Sequence, residues 1–122
     1  MKLHKLLYYC QAWSLVWDEA PLFDEHIEAW ANGPVVPEVY QLHRGEFLLR
    51  GWPYGDSDNL TEEQRETIER VLDFYGGKTA QWLSDLTHRE QPWQEAREGL
   101  GIDERGGRFI RPASLHEYYS SL

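Results

Sequence analysis

The sequence predicts a compact, predominantly helical α+β domain of about five helices with a small β-hairpin element. Three observations predict this. Apolar residues recur at helical spacing in stretches along most of the chain. Two short runs between residues 22 and 30 are too brief for helices and read as extended. Gly, Pro and Asn breaks separate the stretches at short intervals. With 122 residues the chain is long enough for one core, and residues 1–122 are read as a single domain.

Residues 2–17, KLHKLLYYCQAWSLVW, place apolar side chains at 3, 6, 7, 10, 13 and 17, the spacing of one helix face. Cys10 falls inside that pattern and reads as a small core residue rather than a nucleophile. Pro21 rules out continuing the helix. Leu22–Phe23 and Ile27–Trp30 then flank an acidic turn, which predicts a small hairpin or a pair of extended segments. Asn32-Gly33-Pro34 is a turn signal, and Pro37 suits the first turn of a helix carrying Val36, Val39, Tyr40 and His43.

Residues 45–59 mix Gly, Pro and Asp with Phe47, Trp52 and Tyr54, as a loop does. Thr61 and Gln64 form a capping-box pattern before a helix bearing Ile68, Val71, Leu72 and Tyr75, which Gly76-Gly77 stops. Thr79 caps the next helix, with Trp82, Leu83 and Leu86 running into THREQPW. Ala96 and Leu100 extend a short amphipathic piece. GIDERGGRF reads as a surface loop, and Ser114 with Glu117 as the cap of a last helix.

The net charge is −9, with 41% hydrophobic and 14% aromatic residues, six Trp and seven Tyr among them. Aromatics bury large areas each, so this composition closes a core. The negative charge argues against binding nucleic acid, which needs clustered Lys and Arg. From Asp56 to Glu104 there are thirteen acids and five bases, whereas Arg105 to Leu122 holds three Arg against one Glu. Such an acidic body is a solvated surface, or the complement of a basic protein partner. A single cysteine permits no internal disulfide, and no apolar run approaches the ~18 residues of a membrane span, so the chain reads as a soluble cytoplasmic protein with no membrane partner.

His88-Arg89-Glu90 resembles the start of a zinc deaminase motif, in which Glu shuttles protons and two thiolates lie further along the chain. Those thiolates are missing, and the other histidines (4, 26, 43, 116) show no metal-ligand spacing. A metal-dependent hydrolase using His88 and Glu90 is the weakest reading, and no cofactor is expected. Nucleophile elbows and phosphate-binding glycine loops are also absent. The carboxylates read as helix-surface runs without the apolar setting that raises a carboxyl pKa. The segment is therefore read as a structural corner. Thr87 caps the next turn of chain, Glu90 favours the next helix start, and Pro92 opens that helix. Trp93 anchors it in the core, and His88 holds the bend by a bond to Glu90 or to backbone.

KLHKLLYYCQAW (2–13), PLFDEHIEAWANGPVVPEVY (21–40) and LTHREQPWQEAR (86–97) together, in order and spacing, resemble the Panacea domain, also called DUF4065 or SocA-like. Its motif positions fall here on Tyr8, Trp13, Trp30, Gly33, Pro34, Tyr40, Thr87, His88, Glu90, Pro92 and Trp93. The resemblance implies the antitoxin of a two-gene toxin–antitoxin system, with no enzymatic activity, neutralising a toxin by direct protein–protein interaction. It also implies an alternative, a proteolytic adaptor that delivers the toxin to a Clp protease. The motif positions look like scaffold, so toxin contacts are expected in loops 45–59 and 101–111, with Phe47, Trp52, Tyr54, Arg105 and Arg108 as candidates. Family members usually carry about one further helix before the first block, so this chain is expected to lack an N-terminal helix. The stripe of Leu3, Leu6, Leu7 and Cys10 would then border a groove for a partner or a second copy.

Overall fold

The first helix, α1 (Lys2–Trp17), is the centre of the molecule in the computed structural model, which describes residues 2–43, 59–101 and 108–122. Its buried positions, among them His4, Tyr8, Tyr9, Cys10, Gln11, Ala12 and Leu15, cover far more than one stripe. A helix enclosed on most sides must satisfy any polar side chain it buries. The buried imidazole of His4 accepts from the Val36 backbone N–H at 3.1 Å through Nδ1. Gln11 accepts from the Leu22 N–H at 2.8 Å and donates to the Phe23 carbonyl at 2.9 Å. Ser14 donates to the Ala20 carbonyl at 2.7 Å.

Those bonds explain a departure from expectation. Leu22–Phe23 is not a strand, because the side chain of Gln11 satisfies its backbone in place of a neighbouring strand. The hairpin lies one step later: β1 (Ile27–Trp30) pairs antiparallel with β2 (Gly33–Val35), in register Glu28↔Val35 and Trp30↔Gly33. Gly33 has φ +130°, and a Cβ there would lie 3.2 Å from Lys5 Cε, so both its backbone conformation and its packing favour glycine. A third strand, β3 (Arg108–Ile110), pairs on the other side of β1, giving the order β2-β1-β3. Its first two residues, Arg108 and Phe109, end the stretch GIDERGGRF that the sequence suggests is loop. Pairing Ile110 with Ile27 buries both side chains, and that long-range contact overrides the local turn signal.

The helices surround α1. Helix α2 (Pro37–His43) comes directly after β2. Helix α3 (Glu62–Tyr75) begins with the expected capping box, Thr61 Oγ1 accepting from the Gln64 N–H at 3.2 Å and Gln64 Oε1 accepting from the Thr61 N–H at 2.9 Å. Its inner face is Thr67, Val71 and Tyr75, while Leu72, expected inside, is 43% exposed. Thr67 donates to Asp18 at 2.7 Å, tying α3 to the end of α1, where Glu19 turns the chain at φ 52°.

Helix α4 (Ala80–Arg89) has Thr79 as its N-cap, as expected, but Trp82 faces outward with the Lys78 ammonium 4.9 Å from its ring centroid. After α5 (Gln91–Ala96) and β3, the last helix is α6 (Pro112–Ser120). Its N-cap is Arg111 with no side-chain cap bond, so the expected Ser114–Glu117 cap does not form. Proline supplies the helix start instead.

Candidate functional site

The corner between α4 and α5 gathers the residues that invited a chemical reading. His88 Nε2 donates to the Ala31 carbonyl at 2.8 Å, and Nδ1 faces the Ser84 carbonyl at 2.5 Å. The ring packs edge-on against Trp93, 4.1 Å between centroids. Trp93, 8% exposed, donates its indole N–H to the Trp30 carbonyl at 2.9 Å. Buried Arg97 donates from Nη1 to the Ala29 carbonyl at 3.0 Å and from Nη2 to Gly101. Side chains from α4, α5 and its C-terminal cap thus satisfy three successive carbonyls of the segment that begins as β1. Neither nitrogen of His88 points toward Glu90. The corner is held by bonds to backbone, and His88 and Glu90 do not form a pair.

Arg97 escaped notice in the sequence, although Trp93 and Arg97 stand four apart, on one helix face. Thr87 is fully buried inside α4; its hydroxyl donates to the Ser84 carbonyl at 2.9 Å, and its own carbonyl accepts from the Glu90 N–H at 3.1 Å where the helix ends. Glu90 is the N-cap of α5 without a side-chain cap bond, and Pro92 lies in the first turn as expected.

Glu90 turns inward. It accepts from the Tyr9 hydroxyl at 2.5 Å and from the Tyr119 hydroxyl at 3.0 Å, both on Oε1. Tyr119 also lies 2.9 Å from the Tyr8 hydroxyl. A hydroxyl has one proton and an ionised carboxylate has none, so Tyr119 donates to Glu90 and accepts from Tyr8. Burial raises the Glu90 pKa above the ordinary value of 4.5, against the lowering effect of the tyrosine bonds. The expectation that every carboxylate lies in a solvated run fails at this residue. Burial also pushes the Tyr8, Tyr9 and Tyr119 hydroxyls up, with the nearby Glu90 charge adding to it. Tyr75 stacks on Tyr9 at 4.1 Å, and its hydroxyl accepts from the Trp13 indole N–H at 3.2 Å. The cluster joins α1, α3, α6 and the corner.

The other motif positions also pack or hydrogen-bond within the fold. Trp30 donates to Glu28 at 2.9 Å and packs edge-on against Tyr40. Pro34 lies buried in the edge strand β2, where a missing N–H is tolerated. Lys5 is buried beside Gly33, and desolvation lowers its pKa. Of the candidate toxin contacts, Phe47, Trp52, Tyr54 and Arg105 lie outside the described residues. Arg108 is exposed and donates to the Glu98 carbonyl at 2.8 Å, beside Phe109, which is 62% exposed. No group of three or more His, Cys, Asp and Glu side chains fit to hold a metal occurs among the described residues. No helix among them is long and apolar enough to cross a membrane.

The family model of the antitoxin SocA-like Panacea domain matches residues 3–94, from the first turn of α1 into α5. The chain belongs to this family. The matched span of the Panacea domain takes in nearly all of the first sequence block, the whole of the second and the third as far as Gln94, with the β1–β2 hairpin and the His88–Trp93 corner, and stops before Arg97, β3 and α6. Neither the curated proteins nor the solved structures compared with the chain give a match.

Proposed function

We propose that this Panacea domain is an antitoxin that neutralises its cognate toxin by direct protein–protein binding and has no catalytic activity of its own. The family match over residues 3–94 carries the reading. Support also comes from how the motif residues are engaged. His88, Glu90 and Trp93 bind backbone or tyrosine within the domain, which suits a scaffold better than a reaction centre. The net charge of −9 favours a toxin with a basic surface, since complementary potentials speed encounter and disfavour wrong partners. Exposed Arg108 and Phe109 lie at one end of the 101–111 segment, to which toxin specificity is assigned together with segment 45–59.

Co-expression with the product of the neighbouring gene tests the proposal. Growth is rescued, and the two proteins co-purify as a complex. Rescue without a complex refutes sequestration. A shortened toxin lifetime, with rescue lost in a strain lacking the Clp unfoldase, identifies the adaptor mechanism instead.

A further inference from the structure

An apolar groove of about 380 Å³ opens between α1, the segment after Pro21 and α2. Leu7, Phe23, Val36, Val39 and Leu42 line it, and Glu25 and Glu38 complete the lining. Its volume falls at the low end of the range for binding pockets. Two walls are clamped from behind by buried polar side chains: Gln11 holds the Phe23 backbone, and His4 holds the Val36 N–H. The groove is therefore present before any partner arrives. Leu42 is 46% exposed, a large apolar side chain facing water. Neither Glu25 nor Glu38 has a hydrogen-bond or ion-pair partner among the described residues.

Resting on the antitoxin reading, the geometry points to this groove as a docking site for one apolar side chain of the toxin, carried on a segment with Lys or Arg flanking it. The apolar walls desolvate the anchor, as interface pockets do. The two carboxylates, without a side-chain partner among the described residues, then meet the flanking cations. A second copy of this chain is the poorer occupant. Two-fold pairing brings each patch against its own copy, which sets Glu25 and Glu38 against the same carboxylates in molecules that each carry −9.

The test uses the full chain and the purified product of the neighbouring toxin gene, with titration calorimetry at low and high salt. Leu42→Arg is expected to weaken binding by about tenfold or more, the scale on which 1.4 kcal/mol is lost. Leu42→Gln, a milder change that guards against misfolding, weakens it in the same direction. Glu25→Lys with Glu38→Lys weakens binding mainly at low salt, because salt screens exposed charges. Thermal unfolding of the free variants stays close to wild type. Leu72→Arg and Phe74→Arg, exposed positions on α3 that line no part of the groove, leave affinity within about threefold, inside the usual range for residues outside a hot spot. Groove variants that bind like wild type, while the wild-type chain does bind toxin, overturn the groove and leave the antitoxin reading standing. Sedimentation showing a dimer that Leu42→Arg dissociates, with toxin affinity kept, assigns the groove to a second copy and overturns the proposal. A wild-type chain that binds no toxin refutes both.

Discussion

Replacing His88 by alanine separates a structural histidine from a catalytic one. In the native corner the imidazole faces two carbonyls, those of Ala31 at 2.8 Å and Ser84 at 2.5 Å. The Ser84 carbonyl keeps the Thr87 hydroxyl at 2.9 Å after the change, whereas the Ala31 carbonyl loses this donor. An unsatisfied polar group costs about 1–3 kcal/mol. Loss of the edge-on contact with Trp93, at 4.1 Å, adds about 0.5–1.5 kcal/mol. The sum, about 1.5–4.5 kcal/mol, corresponds to a fall in melting temperature of roughly 5–25 °C for a domain of this size. Circular dichroism during heating and urea titration measures it. Below the new transition the variant is expected to bind toxin as the wild type does. An unchanged melting temperature together with complete loss of function refutes the structural assignment, and stoichiometric metal in the wild type makes the catalytic case.

Three further outcomes rest on the geometry. The native pKa of Glu90 is raised by burial, so the folded state holds its proton to higher pH than the unfolded state does. Stability therefore falls as pH rises from about the ordinary value of 4.5 through the raised native value, then levels off with the buried charge in place. Glu90→Gln keeps an acceptor for Tyr9 and Tyr119 and is expected to flatten that slope, read from urea midpoints across the pH range. An unaltered slope counts against the assignment. Gly33→Ala combines a φ of +130° with a 3.2 Å approach to Lys5 Cε, and its expected cost is about 1–3 kcal/mol, measured by denaturant titration. A neutral substitution shows that the hairpin relaxes. Cys10 is 5% exposed and burial pushes its thiol up to about 12, so alkylating reagents are expected to label it only at the rate of unfolding. Rapid labelling of the native protein refutes its core placement.

Local physics makes much of the fold legible. The capping box at Thr61 and Gln64, the breaks at Pro21 and Gly76-Gly77, and the apolar periodicity of residues 2–17 act within a few residues of one another, and each appears in the structure close to the position its signal indicates. The three motif blocks identify the family for the same reason: their order and spacing are properties of the chain itself. His88 is legible as structural from its missing metal partners, but its bonding partner is not. Ala31 lies 57 residues away, and nothing local distinguishes that carbonyl from the nearer carboxylate of Glu90.

Tertiary packing decides the rest. Leu22–Phe23 reads as extended and Phe109 as the end of a loop, yet of the two pairs Leu22–Phe23 and Phe109–Ile110 only the second lies in a strand. Gln11 satisfies the first pair, whereas β1 has an edge available for the second. Charge has to be placed in the same way. Glu90 stands in an acidic run that reads as solvated surface, but the fold brings three tyrosines from the two ends of the chain around it. Burial and hydrogen bonding between residues far apart in sequence set that environment. Neither leaves a local pattern, because each depends on which surfaces the folded chain removes from water.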